Sequence, residues 1–147
     1  MKVLSFLQDT GPDHLGRFLS DILRFNDTAI ETTHDFIQWM FPLDEPSSAS
    51  AAAPILEAGE VALIRKSSLA AHNLNDSVQW YCDFLNRNAH WRVAHDHNHL
   101  RITRMIKSVR LLQGESAANA LRDKVLAMAA PSRDKISQTA WDYWQRA

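Results

Sequence analysis

Residues 97–114 read HNHLRITRMIKSVRLLQG, and this stretch decides the fold class. Its apolar residues recur at intervals of three and four, the period of a helix that buries one face: Ile102, Met105, Ile106, Val109 and Leu112. Gly114 follows the last of them and supplies the left-handed position at which helices commonly end. The stretch therefore predicts an amphipathic helix from about His97 to Gln113.

The sequence on either side of this helix predicts further helices joined by short breaks. Gly11-Pro12-Asp13 is typical of a helix start and precedes apolar residues at helical spacing, namely Leu15, Phe18, Leu19 and Ile22. Further helices are predicted at His34–Phe41 after a Thr33 cap, at about Leu56–Arg65, from Ser67 or Ser68 to Asn86, at Ser116–Ala129, and after a Ser132 cap. No run alternates like a strand. We expect an all-α, compact single-domain bundle over residues 1–147, with about six to eight helices and one long Ser/Ala/Pro loop at 43–54.

Charge and composition exclude several classes of protein. The 147 residues hold 16 Lys and Arg against 17 Asp and Glu, so the net charge is −1 and there is no strong signal for nucleic-acid binding. The single Cys82 excludes an internal disulfide framework and a Cys-rich zinc module. The chain shows no signal peptide and no apolar run of transmembrane length, so we expect a cytoplasmic protein.

Two longer motifs carry a family resemblance. The first is His34-Asp35-Phe36-Ile37-Gln38-Trp39-Met40-Phe41-Pro42-Leu43, and the second is His97-Asn98-His99-Leu100-Arg101-Ile102-Thr103-Arg104-Met105-Ile106-Lys107-Ser108. Together with Pro54-Ile55-Leu56, Glu60-Val61 and the closing Ala140-Trp141-Asp142-Tyr143-Trp144, they resemble the conserved domain of the opioid growth factor receptor family. The resemblance runs from about Phe6 to Trp144.

The resemblance implies a helical fold and binding of the opioid growth factor, which is the peptide met-enkephalin. Association with the nuclear envelope is also implied by the resemblance alone. Two positions depart from the family pattern. His99 stands where Asn is usual, and Trp144 stands where the family has Phe.

The first motif, placed on a helix, separates an apolar side from a side that carries His34, Asp35, Gln38 and Trp39. A tryptophan on the polar side offers a large ring and one N–H donor, which suits the wall of a binding pocket. The alternative is that a neighbouring helix covers Trp39 in the core.

The second motif places Arg101, Arg104, Lys107 and Arg110 opposite the apolar stripe of its helix. This predicts a basic outer face, which would hold a phosphate, a carboxylate or another anion. Asn98 lies at the N-terminus of the same helix, which also favours anions. The alternative is a solvated face paired with acidic neighbours.

The residues thus favour a binding domain with a site formed by both motifs. Its predicted ligand-binding residues are His34, Asp35, Gln38, Trp39, His97, Asn98, Arg101, Arg104 and Lys107. The predicted partner is an anionic small molecule or peptide, or another protein. We expect no cofactor, no metal site and no catalytic residue, because the patterns for nucleophiles and phosphate loops are missing.

Two alternatives remain open. A metal-dependent hydrolase of a phosphorylated substrate would gather His34, Asp35, His95, Asp96 and His97 around a metal, since imidazole and carboxylate are common ligands. In a structural interaction module, the two motifs would instead hold helices together through a closed network of buried hydrogen bonds.

Overall fold

The structure, a computed structural model, describes residues 1–147 and is all-α, as predicted. Its nine α-helices are α1 Lys2–Leu7, α2 Leu19–Ile22, α3 Asp27–Thr32, α4 Ile37–Met40, α5 Ala58–Lys66, α6 Ser68–Arg87, α7 His97–Gln113, α8 Glu115–Ala129 and α9 Gln138–Arg146. A short 3-10 turn, Ala130–Ser132, follows α8, and the one strand-like pairing is an isolated bridge between Leu43 and Ile55. None of the helices has the length and apolar composition that a transmembrane span requires.

The chain divides into two compact units, residues 1–80 and 81–147. Helix α6 belongs to both, because its residues Ser68–Arg87 continue across the boundary. The single domain over residues 1–147 therefore stays a prediction.

Helix α1 opens the first unit, and no sequence pattern predicts it. Six residues are too few for a helix that is stable alone. Both of its ends are held by side chains from distant parts of the unit. The Glu60 carboxylate accepts from the backbone N–H groups of Val3 and Leu4 at 3.1 Å each, and Asn73 Nδ2 donates to the Leu7 carbonyl at 2.8 Å. These contacts satisfy end groups that α1 cannot pair internally.

The helix predicted to start at Asp13 is wrong in its first half. Residues 13–17 form a turn instead, in which Asp13 N–H donates to the Arg17 carbonyl at 2.8 Å and Gly16 N–H donates to the Asp13 carbonyl at 3.1 Å. Gly16 has φ 80°, a value that favours glycine and ends any helix. Leu15 is consequently 60% exposed, although its spacing had placed it on the buried face. Helix α2 covers only the second half, Leu19–Ile22.

The helix predicted over the first motif is much shorter than expected. Helix α4 spans Ile37–Met40, and all four of its residues are buried. His34 and Asp35 lie before α4 and outside any helix, so the division of the motif into two helical faces is wrong. Residues 43–54 form the predicted surface loop, with Leu43 buried at its start.

The long helices match their predictions closely. Helix α7 has the predicted bounds, and Gly114 ends it with φ 96° while its N–H donates to the carbonyls of Val109 and Arg110. Helices α6 and α8 differ from prediction by about one residue, within the usual uncertainty of helix ends. The final cap is Ser137 rather than Ser132, because Ser137 Oγ accepts from Ala140 N–H at 3.1 Å.

Helices α7, α8 and α9 pack against one another in the second unit. Their apolar stripes supply most of its core, including Ile102, Val125 and Trp144. The break between α6 and α7 adds Trp91, which is also fully buried. This arrangement fixes the N-terminal end of α7, where the second motif begins.

Candidate functional site

Trp39 forms the centre of a side-chain cluster in the first unit. Its ring lies edge-on to Phe6 of α1, with centroids 5.5 Å apart and planes at 70°. Only 6% of the residue is exposed, which fits the alternative in which neighbouring parts of the chain cover Trp39. The indole Nε1 is buried and has no hydrogen-bond partner in the protein. Such an unpaired buried donor is rare and costs folding free energy.

His14 covers the Trp39 ring from the turn at residues 13–17. The two rings are nearly parallel, with planes at 7° and centroids 6.0 Å apart. His14 Nε2 also lies 3.4 Å from Asp35 Oδ2. Both side chains of this second contact are partly exposed, at 27% for His14 and 36% for Asp35.

Arg17 holds the Asp35 carboxylate from its other side. Its Nη1 lies 3.0 Å from Asp35 Oδ1, and its Nε donates to Asp13 Oδ2 at 2.7 Å. The Asp13 side chain is fully buried and also accepts from the N–H groups of Leu15 and Arg17. Asp13 thereby fixes Arg17, and Arg17 fixes Asp35. We call Asp13, His14, Arg17, Asp35 and Trp39 the Trp39 cluster.

The charges of the Trp39 cluster favour a cation. Two carboxylates face one guanidinium, so the cluster is negative whenever His14 is neutral. The face of an indole ring is also electron-rich and attracts cations within about 6 Å. A carboxylate beside an indole face is therefore a combination that can bind an ammonium or guanidinium group.

The structure brings two of the four predicted residues of the first motif into this cluster, namely Asp35 and Trp39. His34 is exposed before α4, whereas Gln38 is buried within α4. The predicted assignment of His34 and Gln38 to ligand binding stays a prediction.

The second motif lies in the second unit, where Asn98 has a structural position. Asn98 is fully buried, and its Oδ1 accepts from the Tyr81 hydroxyl. Its Nδ2 donates to Asp96 Oδ1 at 2.8 Å. The same Asp96 oxygen accepts from Asn98 N–H at 2.9 Å and so caps α7. These contacts occupy the side-chain amide of Asn98, which is one of the predicted ligand-binding residues.

The basic face predicted for α7 is less exposed than expected, and it is buried at Arg101. Arg101 is only 7% exposed, and Arg104, Lys107 and Arg110 are half-buried. Arg110 donates at 2.9 Å each to the Ala147 carbonyl, Glu115 and Asn119, so its charge serves contacts within the unit. His97 is exposed in the first turn of α7. Since a buried guanidinium requires paired partners, Arg101 is typical of a structural residue rather than a surface anion ligand.

A chain of hydrogen bonds closes the break between α6 and α7. Trp91 Nε1 donates to the carbonyls of Leu85 and Asn88 at 2.9 and 2.8 Å. The Trp91 carbonyl bonds His99 Nε2 at 2.7 Å, and Trp144 Nε1 donates to the His99 carbonyl at 3.1 Å. Here the buried indole N–H groups are satisfied, unlike that of Trp39.

Cys82 lies buried in α6. Burial raises the pKa of its thiol above the ordinary value, while Lys124 lowers it and Asp83 raises it by smaller amounts. The thiol is therefore less ionised than a free cysteine at neutral pH, which makes it a poor nucleophile.

Three members of the Trp39 cluster are missing from the predicted site, namely Asp13, His14 and Arg17. A local signal for them exists in the stretch Asp13-His14-Leu15-Gly16. Asp at the first position and Gly at the fourth position are typical of a type I turn. Reading this stretch as a turn would have placed His14 on an exposed loop, although nothing local connects it with Trp39.

One family model matches the chain, the opioid growth factor receptor (OGFr) conserved region, over residues 12–90. The match covers more than half of the 147 residues and contains the first motif and all of the Trp39 cluster. The second motif and the closing helix lie beyond the matched residues. A search of curated proteins and a search of solved structures gave no match. The chain belongs to the family of the opioid growth factor receptor conserved region.

Proposed function

We propose that the chain is a binding domain whose ligand is a peptide, and that the Trp39 cluster receives the peptide's positively charged amine. The observation that carries the proposal is the position of His14, which stacks on Trp39 while its Nε2 faces Asp35 at 3.4 Å. A protonated imidazole in this position has the same two contacts that a ligand ammonium would make, an aromatic face and a carboxylate.

In this proposal, His14 is an internal occupant that the ligand displaces. His14 belongs to an exposed turn, whereas Asp35 is fixed by Arg17, and Arg17 by the buried Asp13. Asp35, which would hold the cation, is thus fixed in place. His14, which would have to move away, lies on the surface. Movement of His14 would also uncover the face of Trp39.

Family membership supports a peptide as the ligand. The family is named for a receptor of an opioid growth factor, and the resemblance identifies that factor as met-enkephalin. Shared fold transfers more safely than shared ligand, so the geometry of the Trp39 cluster is the stronger support. The amine replaces the anion predicted from Arg101, Arg104 and Lys107, because Arg101 is buried.

The second motif has a different role in this proposal. Asn98 and Arg101 are assigned to holding the second unit together, which is the structural alternative for this part of the chain. The proposal includes no enzymatic activity and no metal. One oxygen of Asp96, a residue that the hydrolase alternative needs, caps α7. A cytoplasmic location is likewise part of the proposal.

Calorimetric titration with met-enkephalin and with N-acetyl-met-enkephalin tests the proposal. Acetylation removes the positive charge of the amine and leaves the rest of the peptide unchanged. We expect the acetylated peptide to bind at least about tenfold more weakly, the value of one hydrogen bond to a charged group. Equal binding of both peptides, or no binding of either, would overturn the proposal.

Three variants locate the site. Asp35→Asn should weaken binding of the free amine by about tenfold, because it removes the negative charge and keeps the shape. Asp44→Asn, an exposed carboxylate in the surface loop, is the matched control and should change nothing. His14→Ala should strengthen binding, because the ligand no longer competes with an internal occupant. Weaker binding in His14→Ala would contradict the displacement step.

A further inference from the structure

A cavity of about 210 Å³ opens in the second unit beside α7 and α9. It is separate from the Trp39 cluster, all of whose residues lie in the first unit. Its lining includes His95, His99, Leu100, Thr103, Ala140 and Tyr143. Leu100 and Tyr143 are 59% and 50% exposed, so part of the apolar lining is open to solvent.

His99 supplies the cavity with a defined hydrogen-bond acceptor. It is 6% exposed, and its Nε2 bonds the Trp91 carbonyl at 2.7 Å. A carbonyl only accepts, so Nε2 must carry the proton, and neutral His99 then has its lone pair on Nδ1. Its ring is held edge-on against Trp144 at 5.3 Å, which fixes its orientation.

Three further polar side chains of the lining have partners within the protein. The Asp96 carboxylate caps α7, the Thr103 hydroxyl donates to the His99 carbonyl, and Ser137 Oγ accepts from Ala140 N–H. The lining is mostly apolar, and among its polar groups the His99 imidazole is the one that is buried and held in a fixed orientation. An anion is disfavoured, because the Asp96 carboxylate lies in the same lining.

We infer that this cavity binds a small neutral aromatic molecule that carries one hydrogen-bond donor, of the phenol class. The donor bonds Nδ1 of His99, and the ring lies against Leu100, Ala140 and Tyr143. The volume suits one ring rather than a larger molecule, since it falls below the roughly 300 Å³ at which drug-sized pockets begin. This site is independent of the proposed peptide site.

NMR titration of the full chain with phenol tests the inference. We expect saturable shifts at the lining residues and a change in the 15N shift of His99 Nδ1. Toluene lacks the donor and should bind about fivefold more weakly, the value of one neutral hydrogen bond. Cyclohexanol has the donor but no aromatic ring, and it should also bind more weakly than phenol. Absence of saturable shifts, or equal binding of phenol and toluene, would overturn the inference.

Two variants reduce the volume of the cavity from different positions of its lining. Ala140→Leu and Thr103→Leu each add side-chain volume to the lining, and each should weaken phenol binding at least about tenfold. Ala120→Leu, an exposed position on α8 outside the lining, is the matched control. If Ala140→Leu does not fold, Thr103→Leu gives the same test. Phenol affinity unchanged in a folded cavity variant would overturn the inference.

Discussion

The indole N–H groups of Trp39 and Trp91 show how differently the two compact units use buried polar groups. Trp39, in the first unit, is 6% exposed and its Nε1 has no partner. Trp91, in the second unit, is fully buried, and its Nε1 donates to two carbonyls. The first unit therefore carries a buried N–H donor without an acceptor, next to partly exposed charged side chains. In the second unit, the buried indole donor of Trp91 has its acceptors.

This difference indicates which of the two units carries the better candidate for a binding site. A closed network of buried hydrogen bonds stabilises and orients its own unit, because every donor has its acceptor. An unsatisfied donor beside a partly exposed ion pair costs stability, and proteins commonly carry such costs at sites that bind or react. Substitutions of these polar side chains should separate the two uses by their cost in stability.

Asn98→Ala should give the largest loss of stability, about 3 kcal/mol in the free energy of unfolding. The change removes an acceptor from the buried Tyr81 hydroxyl and a donor from Asp96, which caps α7. Denaturant unfolding followed by circular dichroism measures it. Asn86→Ala, at an exposed position of α6, is the control and should stay within about 0.5 kcal/mol. A small effect of Asn98→Ala would show that the second unit does not depend on its closed network.

Trp91→Phe should destabilise the protein by about 1–2 kcal/mol more than Trp39→Phe. Both changes remove similar volume, but only the first leaves carbonyl acceptors, those of Leu85 and Asn88, without their indole donor. In Trp39→Phe the lost N–H had no partner, so its removal relieves a cost. The same unfolding experiment on both variants gives the difference directly. Equal losses would mean that the Trp39 N–H is satisfied in solution, and the comparison would fail.

Asp35→Asn should cost less than about 1 kcal/mol of stability, even though it abolishes an ion pair with Arg17. The Asp35 side chain is 36% exposed, and Arg17 keeps its 2.7 Å contact with Asp13. Asp13→Asn is the comparison, and it should cost clearly more because the fully buried Asp13 accepts from Leu15, Arg17 and the Arg17 guanidinium. Thermal unfolding of both variants tests this order. A larger loss for Asp35→Asn would make Asp35 a structural residue and weaken its assignment to ligand binding.

The sequence predicts the helices that are determined by neighbouring residues along the chain. Helix α7 has a long apolar period and a terminal glycine, and its predicted bounds are confirmed. Helix α1 depends on Glu60 and Asn73, which lie more than fifty residues away, so no local pattern could reveal it. The apolar spacing of Leu15 to Ile22 fits a helix by coincidence, and the positive φ of Gly16 overrides it.

The candidate site is predicted only in part, for the same reason. Asp35 and Trp39 are predicted because they stand in a distinctive motif. His14 and Arg17 reach them from a turn about twenty residues earlier, and only the folded chain brings them together. For the basic residues of α7, the sequence predicts exposed ligand-binding positions that the folded chain partly buries. A helical pattern shows which residues are opposite the apolar stripe, but not whether other parts of the protein cover them, as they do Arg101.

Titration of Cys82 should have the smallest effect on the free energy of unfolding. It tests whether the interior of the second unit is as inaccessible to solvent as its hydrogen bonds indicate. Burial raises the pKa of the folded thiol, so the folded state keeps this proton to a higher pH than the unfolded state does. Its contribution to stability is therefore complete below the unfolded pKa of about 8.5 and is lost as pH rises through the raised folded value. The free energy of unfolding measured at about pH 7.5 and about pH 9.5 should decline less in Cys82→Ala than in the unsubstituted protein.

Iodoacetamide should modify Cys82 far more slowly in the folded protein than in denaturant, because only the exposed thiolate reacts. Equal rates would mean that α6 opens readily around Cys82, and that the second unit is no more closed than the surroundings of Trp39.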